Sequence, residues 1–508
     1  MLARRALWLP SAALLAAGLV APLLRVLAEG AGGFDLALLL DPYLGWRVAW
    51  SLIQATVTCA LALVFGLPLA WALARFDFPL RAFVLRALML PFVMPTLVAA
   101  IGVLALFGPH GVTGLNLQDT PWLLLYGNLF YNLPLVVRAG VDGFAAVPAS
   151  QLAAARTLGA SRLRAFWRVE WPLVRPWLAS ALCLVFVYCF AGFGLALLLG
   201  GQRYATVEVE IYTLVAYELN FADAGLLALL NLVVSFAVAL AYAWRERTLA
   251  VALKVERLAP QKPRTLAERL ALAAALSTLL FTSFAPLAAV AASGLSAGWD
   301  VWRGLWSEEG RLAAFNTLRF TALATLCAGL FGVAHALAAR RSLVWRAAAN
   351  LPFIVSPVCV AFGLLLLYPA YAASLPLLLA AYVLLAYPFV AKSLAAALDA
   401  EPPELARAAR TLGASPWRAF RRVRWPLLRP ALSRGLAFAA ATAVGEFAVT
   451  LFLSRPEWLT LTTWIYQLLG RPGSANLAAA QALATVLMAL SLVAFWLIER
   501  QTDHARTR

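Results

Sequence analysis

The chain has 508 residues, 63% of them hydrophobic and only 13% charged, with 41 Lys and Arg against 24 Asp and Glu and a formal net charge of +17. Soluble domains carry close to one quarter charged residues, so this composition excludes a soluble globular protein and makes lipid the solvent. Nucleic-acid binding is excluded as well, because the arginines lie in short segments between apolar runs and no hydrophilic basic domain exists to carry it.

A helix needs about 20 mainly apolar residues to cross a bilayer, since lipid offers no partner for an unpaired backbone group. Twelve runs qualify. In chain order they are 6–28, 49–74, 82–107, 121–144, 177–199 and 224–244, then 270–292, 320–338, 347–368, 372–397, 436–453 and 477–498. The first run follows Arg4 and Arg5 as a signal peptide would, but its length, and Arg25 and Glu29 where a cleavage site would need small residues, predict a retained helix. All five cysteines, Cys59, Cys183, Cys189, Cys327 and Cys359, fall inside apolar runs, so they read as small hydrophobes with neither a disulfide framework nor metal-ligand spacing.

Basic residues in short loops stay inside the cell, whereas acids count for little. Arg4 and Arg5 place the N-terminus inside. The even-numbered connections carry Arg75, Arg81 and Arg86; Arg156, Arg162, Arg164 and Arg168; Arg245, Arg247, Lys254, Arg257, Lys262, Arg264 and Arg269; Arg340, Arg341 and Arg346; and Arg407, Arg410, Arg418, Arg421, Arg422 and Arg424. Odd connections hold acids such as Asp35, Asp41, Glu208, Glu210, Glu218, Glu308 and Glu309. The pattern predicts a multi-pass protein of the inner (plasma) membrane with both termini cytoplasmic.

An internal repeat fixes the organisation. Ala153 to Pro176 reads AAARTLGASRLRAFWRVEWPLVRP and Arg407 to Pro430 reads RAARTLGASPWRAFRRVRWPLLRP, with 18 of 24 positions identical at an offset of 254 residues. The same offset pairs Pro134 with Pro388, Arg138 with Lys392 and Ile211-Tyr212 with Ile465-Tyr466. Six spans per half return the chain to its starting side, so the repeats are parallel. The predicted division is a first repeat at 1–247, a linker at 248–268 around Pro260 and Pro263, and a second repeat at 269–508.

Within each repeated block, Ala154 to Leu158 and Ala408 to Leu412 are helix-forming, Gly159 and Gly413 interrupt them, and Ser161 and Ser415 cap an amphipathic segment that runs to Trp171 and Trp425. The glycines allow a positive φ or a close backbone approach, as a helix-turn-helix pressed into another protein's groove would need. Two loops this similar carry more than a charge-retention signal. The alanine pairs Ala154-Ala155 and Ala408-Ala409, the glycine four residues on and the Trp-Pro-Leu twelve residues further resemble the coupling loop of ATP-binding-cassette importer permeases, often called the EAA loop.

That resemblance covers essentially the whole chain and implies an all-α integral membrane protein of about twelve helices in two six-helix repeats, the type I importer permease fold. It further implies that the loops, at about 146–171 and 400–425, dock on an ATPase subunit through Ala154, Ala155, Gly159, Ala160 and Ser161 and through Ala408, Ala409, Gly413, Ala414 and Ser415. The signature glutamate is replaced by Ala153 in one copy and Arg407 in the other. Fused two-copy permeases resemble the thiamine and ferric-iron importers, and the stretches FYNLPLVVR, GGQRYATVEVEIY and VGEFAVTLF look like both. Gln151 to Ala154 and the residues after Gly200 look slightly more like the thiamine permeases. The partners implied are two ATPase copies, an extracytoplasmic solute-binding protein and the bilayer, with no nucleic acid.

The chain has no GxxxxGK[ST] loop, so no cofactor is expected on it and ATP belongs to the partner. Ionisable groups inside spans are costly, about 2.5–3.5 kcal/mol for a mid-helix acid, and only Glu446 stands deep in an apolar run; its counterpart is Gly192. Two readings stay open: a negative charge on the path of a cationic solute, or a structural acid tied to an arginine or to a helix break at Gly445. Arg138, Asp142, Lys392 and Asp399 lie near span ends and read as structural. Gly102 and Gly363, with Pro91, Pro95, Pro352 and Pro357, predict close packing or a lined cavity in the third and ninth spans. The external segments 201–220 and 455–474 mix Tyr204, Tyr212, Tyr217, Trp458, Trp464 and Tyr466 with charges, as expected at a membrane interface where a binding protein docks.

Two other classes compete. An ion-gradient-driven secondary transporter shares twelve spans and parallel halves but does not account for the duplicated block. A membrane-embedded enzyme would need a nucleophile, metal cluster or carboxylate pair, and His110, His335 and His504 fall apart in the sequence with no ligand spacing.

Overall fold

The computed structural model describes residues 9–32, 41–249, 259–340, 342–453 and 455–506. Arg4, Arg5, Asp35, Lys254, Arg257 and Arg341, and with them the first orientation signal and the middle of the linker, lie outside the described residues. Among the described residues the extended elements are all helical. The first half gives α1 (Leu9–Ala31), α2 (Pro42–Arg75), α3 (Arg81–Val93), α4 (Thr96–Phe107), α5 (Pro121–Ala145), α6 (Ala149–Thr157), α7 (Arg162–Phe190), α8 (Gly194–Leu199), α9 (Val207–Thr213) and α10 (Phe221–Leu249). The second half gives α11 (Leu266–Leu295), α12 (Glu308–Ala339), α13 (Val344–Ile354), α14 (Pro357–Leu367), α15 (Leu375–Asp399), α16 (Pro403–Thr411), α17 (416–444), α18 (Ala448–Leu453), α19 (Leu461–Gly470) and α20 (Ser474–Arg506).

The described residues of the twelve expected spans are mostly helical, but among the described residues 8 single helices are long and apolar enough to cross a membrane, and 10 spans result if each of two bent pairs counts as one. The count falls short of twelve for a compositional reason. The span α5 carries Asn128, Asn132, Pro134, Arg138 and Asp142, and α17 carries Arg429 and Arg434 among its apolar residues. The runs expected at 177–199 and 436–453 are also interrupted, at Ala191 to Phe193 and at Gly445 to Phe447, so that α8 and α18 are separate short helices.

Local chemistry explains several helix starts. Pro42 sits in the first turn of α2 and Asp41 accepts from the backbone N–H groups of Tyr43 and Leu44 at 2.7 and 3.2 Å. Thr265 and Glu268 form a reciprocal capping box at the start of α11. Apolar side chains outside the packed core follow helical spacing, with Phe315, Leu318, Leu326 and Leu330 exposed along α12, which is the signature of a face wetted by lipid.

The third and ninth spans break at the prolines rather than the glycines. The α3–α4 pair bends by 101° and the α13–α14 pair by 96°, at Pro95 and at the Ser356-Pro357 step. Gly102 and Gly363 lie inside α4 and α14 and serve close packing: a β-carbon on Gly102 would stand 2.6 Å from the Pro286 carbonyl oxygen, and one on Gly363 would stand 2.9 Å from the backbone of Pro22.

Those two prolines belong to matching devices. Each follows a widened π-turn, Ala16–Val20 in α1 and Leu280–Phe284 in α11. In that register the N–H of the proline position would bond the carbonyl five residues back, and proline has no N–H. A tyrosine supplies the donor instead: the Tyr368 hydroxyl donates to the Ala17 carbonyl at 3.0 Å and the Tyr126 hydroxyl to the Phe281 carbonyl at 2.7 Å.

The described residues pack as two compact units, each drawing on both halves of the sequence. One holds α1, the stretch Val215–Leu226 and the described residues from Ala297 onward. The other holds the described residues of 34–214 together with Leu227–Ser296. The first span of each half is therefore packed among helices of the other half, α1 against α14 and α11 against α4. The second unit has a core of Leu69, Leu73, Leu133, Val136, Val174, Leu178 and Phe190, all nearly inaccessible.

Candidate functional site

The duplicated blocks fold alike. The helices α6 and α16 end at Thr157 and Thr411, Leu158 and Leu412 are their C-caps, and Gly159 and Gly413 follow, both at φ +77°. Gly159 N–H bonds the Arg156 carbonyl and Ala160 N–H the Ala155 carbonyl, both at 3.0 Å; Gly413 and Ala414 do the same with Arg410 and Ala409 at 3.0 Å. This is a Schellman ending, which satisfies two otherwise orphaned carbonyls and requires a left-handed residue. Of the two uses expected for the glycines, the positive φ is the one present within the chain, since a β-carbon on either would meet nothing within 4 Å. Ser161 and Ser415 then accept from the backbone N–H of Arg164 and Arg418, each at 3.3 Å, and start the next helix.

The two Ala pairs sit on the last turns of α6 and α16, and Gly159 to Ser161 and Gly413 to Ser415 form the turns that follow. At each tip Leu158 and Leu412 stand 87% and 88% exposed, with Leu163 and Trp417 exposed beside them. Sequence reasoning passed over these leucines. Their signal was present in the Leu-Gly pairs, because a Schellman glycine leaves the preceding side chain outside the helix.

Behind the tips lies a second pair of matching π-turns, Phe166–Glu170 and Phe420–Arg424, so the amphipathic segments do not stop at Trp171 and Trp425 but continue into the rest of α7 and α17. Each block is anchored by a buried acid. Glu170 takes a 2.6 Å ion pair from Arg75 at the end of α2, with side chains 8% and 14% exposed. Glu401, whose side chain is 4% exposed, receives Arg424 at 2.7 Å and Arg340 at 3.6 Å. The hydrogen bond from Arg424, reinforced by the charges of Arg424 and Arg340, holds the Glu401 carboxyl below its usual range. Arg162 also reaches Glu268 at 3.1 Å.

Glu446 lies in the break between α17 and α18. Its Oε1 accepts from Val449 N–H at 2.9 Å, and its carbonyl accepts from the Thr462 hydroxyl at 2.9 Å. The ion pairs among the described residues do not include it. Gly192 occupies the corresponding break between α7 and α8. Arg138 pairs with Asp142 and Arg346 with Asp399, both at 3.1 Å, while Lys392 lies over the Phe353 ring.

Several residues of the segments expected to be external are buried in the protein. Glu208 is 0% exposed and accepts from Asn231, and Glu210 is 2% exposed, pairs with Arg47 at 3.0 Å and also accepts from the Tyr43 hydroxyl. Tyr212 and Trp464 are buried too, while Tyr217 stays exposed. The acids and aromatics of these segments pack α9 and α19 onto α2 and α12, because a polar residue flanking a lipid-exposed bundle is best satisfied by another polar group. Among the described residues no group of three or more His, Cys, Asp or Glu could hold a metal ion.

The sequence pattern of the family described as "Binding-protein-dependent transport system inner membrane component" matches residues 62–250 and again 317–506. The thiamine transport system permease protein of Brucella abortus (strain 2308) is 28% identical over 502 residues, covering 93% of this chain and 91% of its own. That of Escherichia coli (strain K12) is 27% identical over 487 residues, 91% of this chain and 89% of its own. The molybdate/tungstate transport system permease protein of Thermococcus kodakarensis is 35% identical over 171 residues, 34% of this chain and 66% of its own.

Proposed function

The chain belongs to the family of binding-protein-dependent transport system inner membrane components, as a fused two-copy permease of the ATP-binding-cassette type, and we propose from that premise that it forms the path by which thiamine enters the cell. The observation that carries the substrate is the likeness to thiamine permeases across 93% of the chain, through both halves. Ferric iron is the second cation that the sequence resemblance offers. Thiamine carries a fixed thiazolium charge, which suits the buried acid Glu446 in the break between α17 and α18.

In this reading the arginine-rich loops and both termini face the cytoplasm. The tips at Ala154-Ala155, Gly159 to Ser161, Ala408-Ala409 and Gly413 to Ser415 dock on two copies of a separate ATPase, where ATP is bound and hydrolysed. A solute-binding protein delivers the cargo from the other side. Geometry supports the docking: two rigid endings present an exposed leucine each, and an apolar side chain held out in water at a fixed angle gains most by entering a partner's cleft.

The test is reconstitution in vesicles with the ATPase and binding protein. ATP-dependent accumulation of labelled thiamine, with no response to ferric ion and no loss when proton and sodium gradients are collapsed, is the expected result. Uptake that needs a gradient and no ATPase would instead establish the secondary transporter.

A further inference from the structure

We propose that the acid–arginine clusters behind the two tips, Arg75–Glu170 in one half and Arg340–Glu401–Arg424 in the other, are the links through which each coupling segment moves the long second helix of its own half. The proposal rests on the coupling reading above. It adds that the halves have built the same link with opposite polarity.

The coupling helices have little grip of their own. In α6 the buried side chain is Leu152, and most of the residues from Ser150 to Arg164 are exposed. A push on the tip must therefore travel along the chain into α7, and it meets the π-turn at Phe166–Glu170 on the way. Such a turn is wider and less regular than the α-helix around it, a place where a helix gives. Glu170 is the last residue of that turn, and its bond to Arg75 ties the turn directly to the end of α2, a helix of 34 residues. In the second half Arg424 is the last residue of the matching turn, and Glu401 joins it to Arg340 at the end of α12, a helix of 32 residues.

Repeat arithmetic shows that the two solutions are separate inventions on one frame. At the offset of 254, Glu170 corresponds to Arg424, and Glu401 corresponds to Val147, which is fully buried. The base at the end of the second helix, Arg75 or Arg340, is common to both. Where the π-turn supplies the acid, one pair suffices; where it supplies a base, an acid enters ahead of α16 to bridge two arginines. Membrane topology needs only the arginines, since acids contribute little to it. Burying a carboxylate is costly without a partner, so an acid kept at 8% and 4% exposure in each half indicates that the bridge itself is used.

The experiment uses the full chain with its ATPase in vesicles and reads thiamine imported per ATP hydrolysed, together with ATPase co-purification. Glu170→Gln and Glu401→Gln are each expected to leave the ATPase bound and hydrolysing while import per ATP falls by roughly tenfold, within the range of ordinary coupling free energies. Val147→Glu combined with Glu170→Arg transplants the second half's arrangement into the first and is expected to recover the ratio to within about twofold of the unsubstituted protein. Unchanged ratios in both glutamine variants overturn the link, as does loss of ATPase binding in both, which would make the clusters merely structural. If one variant fails to assemble, the other decides. No recovery in the transplant overturns the equivalence of the two polarities. An unsubstituted chain that binds no ATPase defeats the coupling reading itself, and that control separates the two failures.

Discussion

The Tyr126 hydroxyl donates at 2.7 Å to the carbonyl of Phe281, a carbonyl that the absent N–H of Pro286 leaves without a backbone donor. In the other unit Tyr368 does the same for Ala17 ahead of Pro22. A widened, proline-bearing turn is tolerable in lipid only if the freed carbonyl finds a partner. Tyr126→Phe and Tyr368→Phe each keep the ring and remove the donor, so each is expected to cost about 1–3 kcal/mol. Thermal denaturation of the detergent-purified chain checks this, and a midpoint unchanged in both variants would show that water or lipid headgroups satisfy the carbonyl instead.

In the proposed docking the tip leucines and glycines have different parts. Leu158 and Leu412 are almost fully exposed, so Leu158→Asp and Leu412→Asp are expected to leave stability unchanged and abolish ATPase co-purification when combined. Gly159→Val acts otherwise: open space surrounds the glycine, but φ +77° strains a branched residue by about 1–3 kcal/mol and unwinds the ending that aims Leu158. Gly159→Asn, which tolerates the left-handed region, is expected to retain most uptake. Equal uptake in the Val and Asn variants would remove the backbone explanation.

Acid sensitivity of the second duplicated segment follows from Glu401. Its folded-state value lies below the ordinary 4.5 because Arg424 hydrogen-bonds the carboxylate and both arginines attract its charge. A depressed carboxyl contributes stability that is fully present above the unfolded value and lost as pH falls through the folded one. No change is expected between about pH 6 and 8. Glu401→Gln should melt below the unsubstituted chain at neutral pH, and the gap should close as the pH drops well under 4.5. A gap that persists in acid would mean that packing, not charge, separates the two proteins.

The buried pair Arg47–Glu210 has no counterpart in the other half, where the corresponding positions are Ala313 and Trp464. The frame around it is shared, since Ser51 accepts from Val207 N–H at 2.8 Å and Thr317 from Leu461 N–H at 2.9 Å. Removing one partner strands a buried charge, so Arg47→Ala is expected to cost about 3–5 kcal/mol. Arg47→Ala with Glu210→Trp copies the apolar solution and should recover most of that loss. A double variant no more stable than Arg47→Ala would show that the wall around this pair cannot take the larger ring.

How much of this was readable beforehand depended on which signal each feature leaves. The shape of the duplicated tips was legible because the repeat is local and chemically particular: a glycine, a capping serine and a Trp-Pro step recur at fixed spacing. The interleaving of α1 and α11 was not. Helices bathed in lipid are apolar on the outside as well as the inside, so their periodicity carries no address. The breaks at Ala191 to Phe193 and Gly445 to Phe447 hid inside apolar runs for the same reason. Charge alone could not show that Glu208 and Glu210 are buried, because counting acids along a loop cannot reveal that Asn231 and Arg47 lie opposite them. The same blindness concealed the tie between Arg75 and Glu170, residues far apart in sequence.

The cap that Glu446 provides and the transport role proposed for it can be separated by one substitution. Its Oε1 caps the backbone N–H of Val449, and the side-chain amide oxygen of glutamine can accept that bond equally well, so Glu446→Gln preserves the turn while deleting the charge. Glu446→Ala deletes both. If the carboxylate attracts a cationic solute, Glu446→Gln should raise the KM for thiamine uptake by about tenfold, roughly 1.4 kcal/mol of lost attraction, with an unchanged melting point. The alanine variant should add a fall in stability of about 1 kcal/mol from the lost cap. A KM untouched by Glu446→Gln beside a destabilised Glu446→Ala would assign the residue wholly to the helix break.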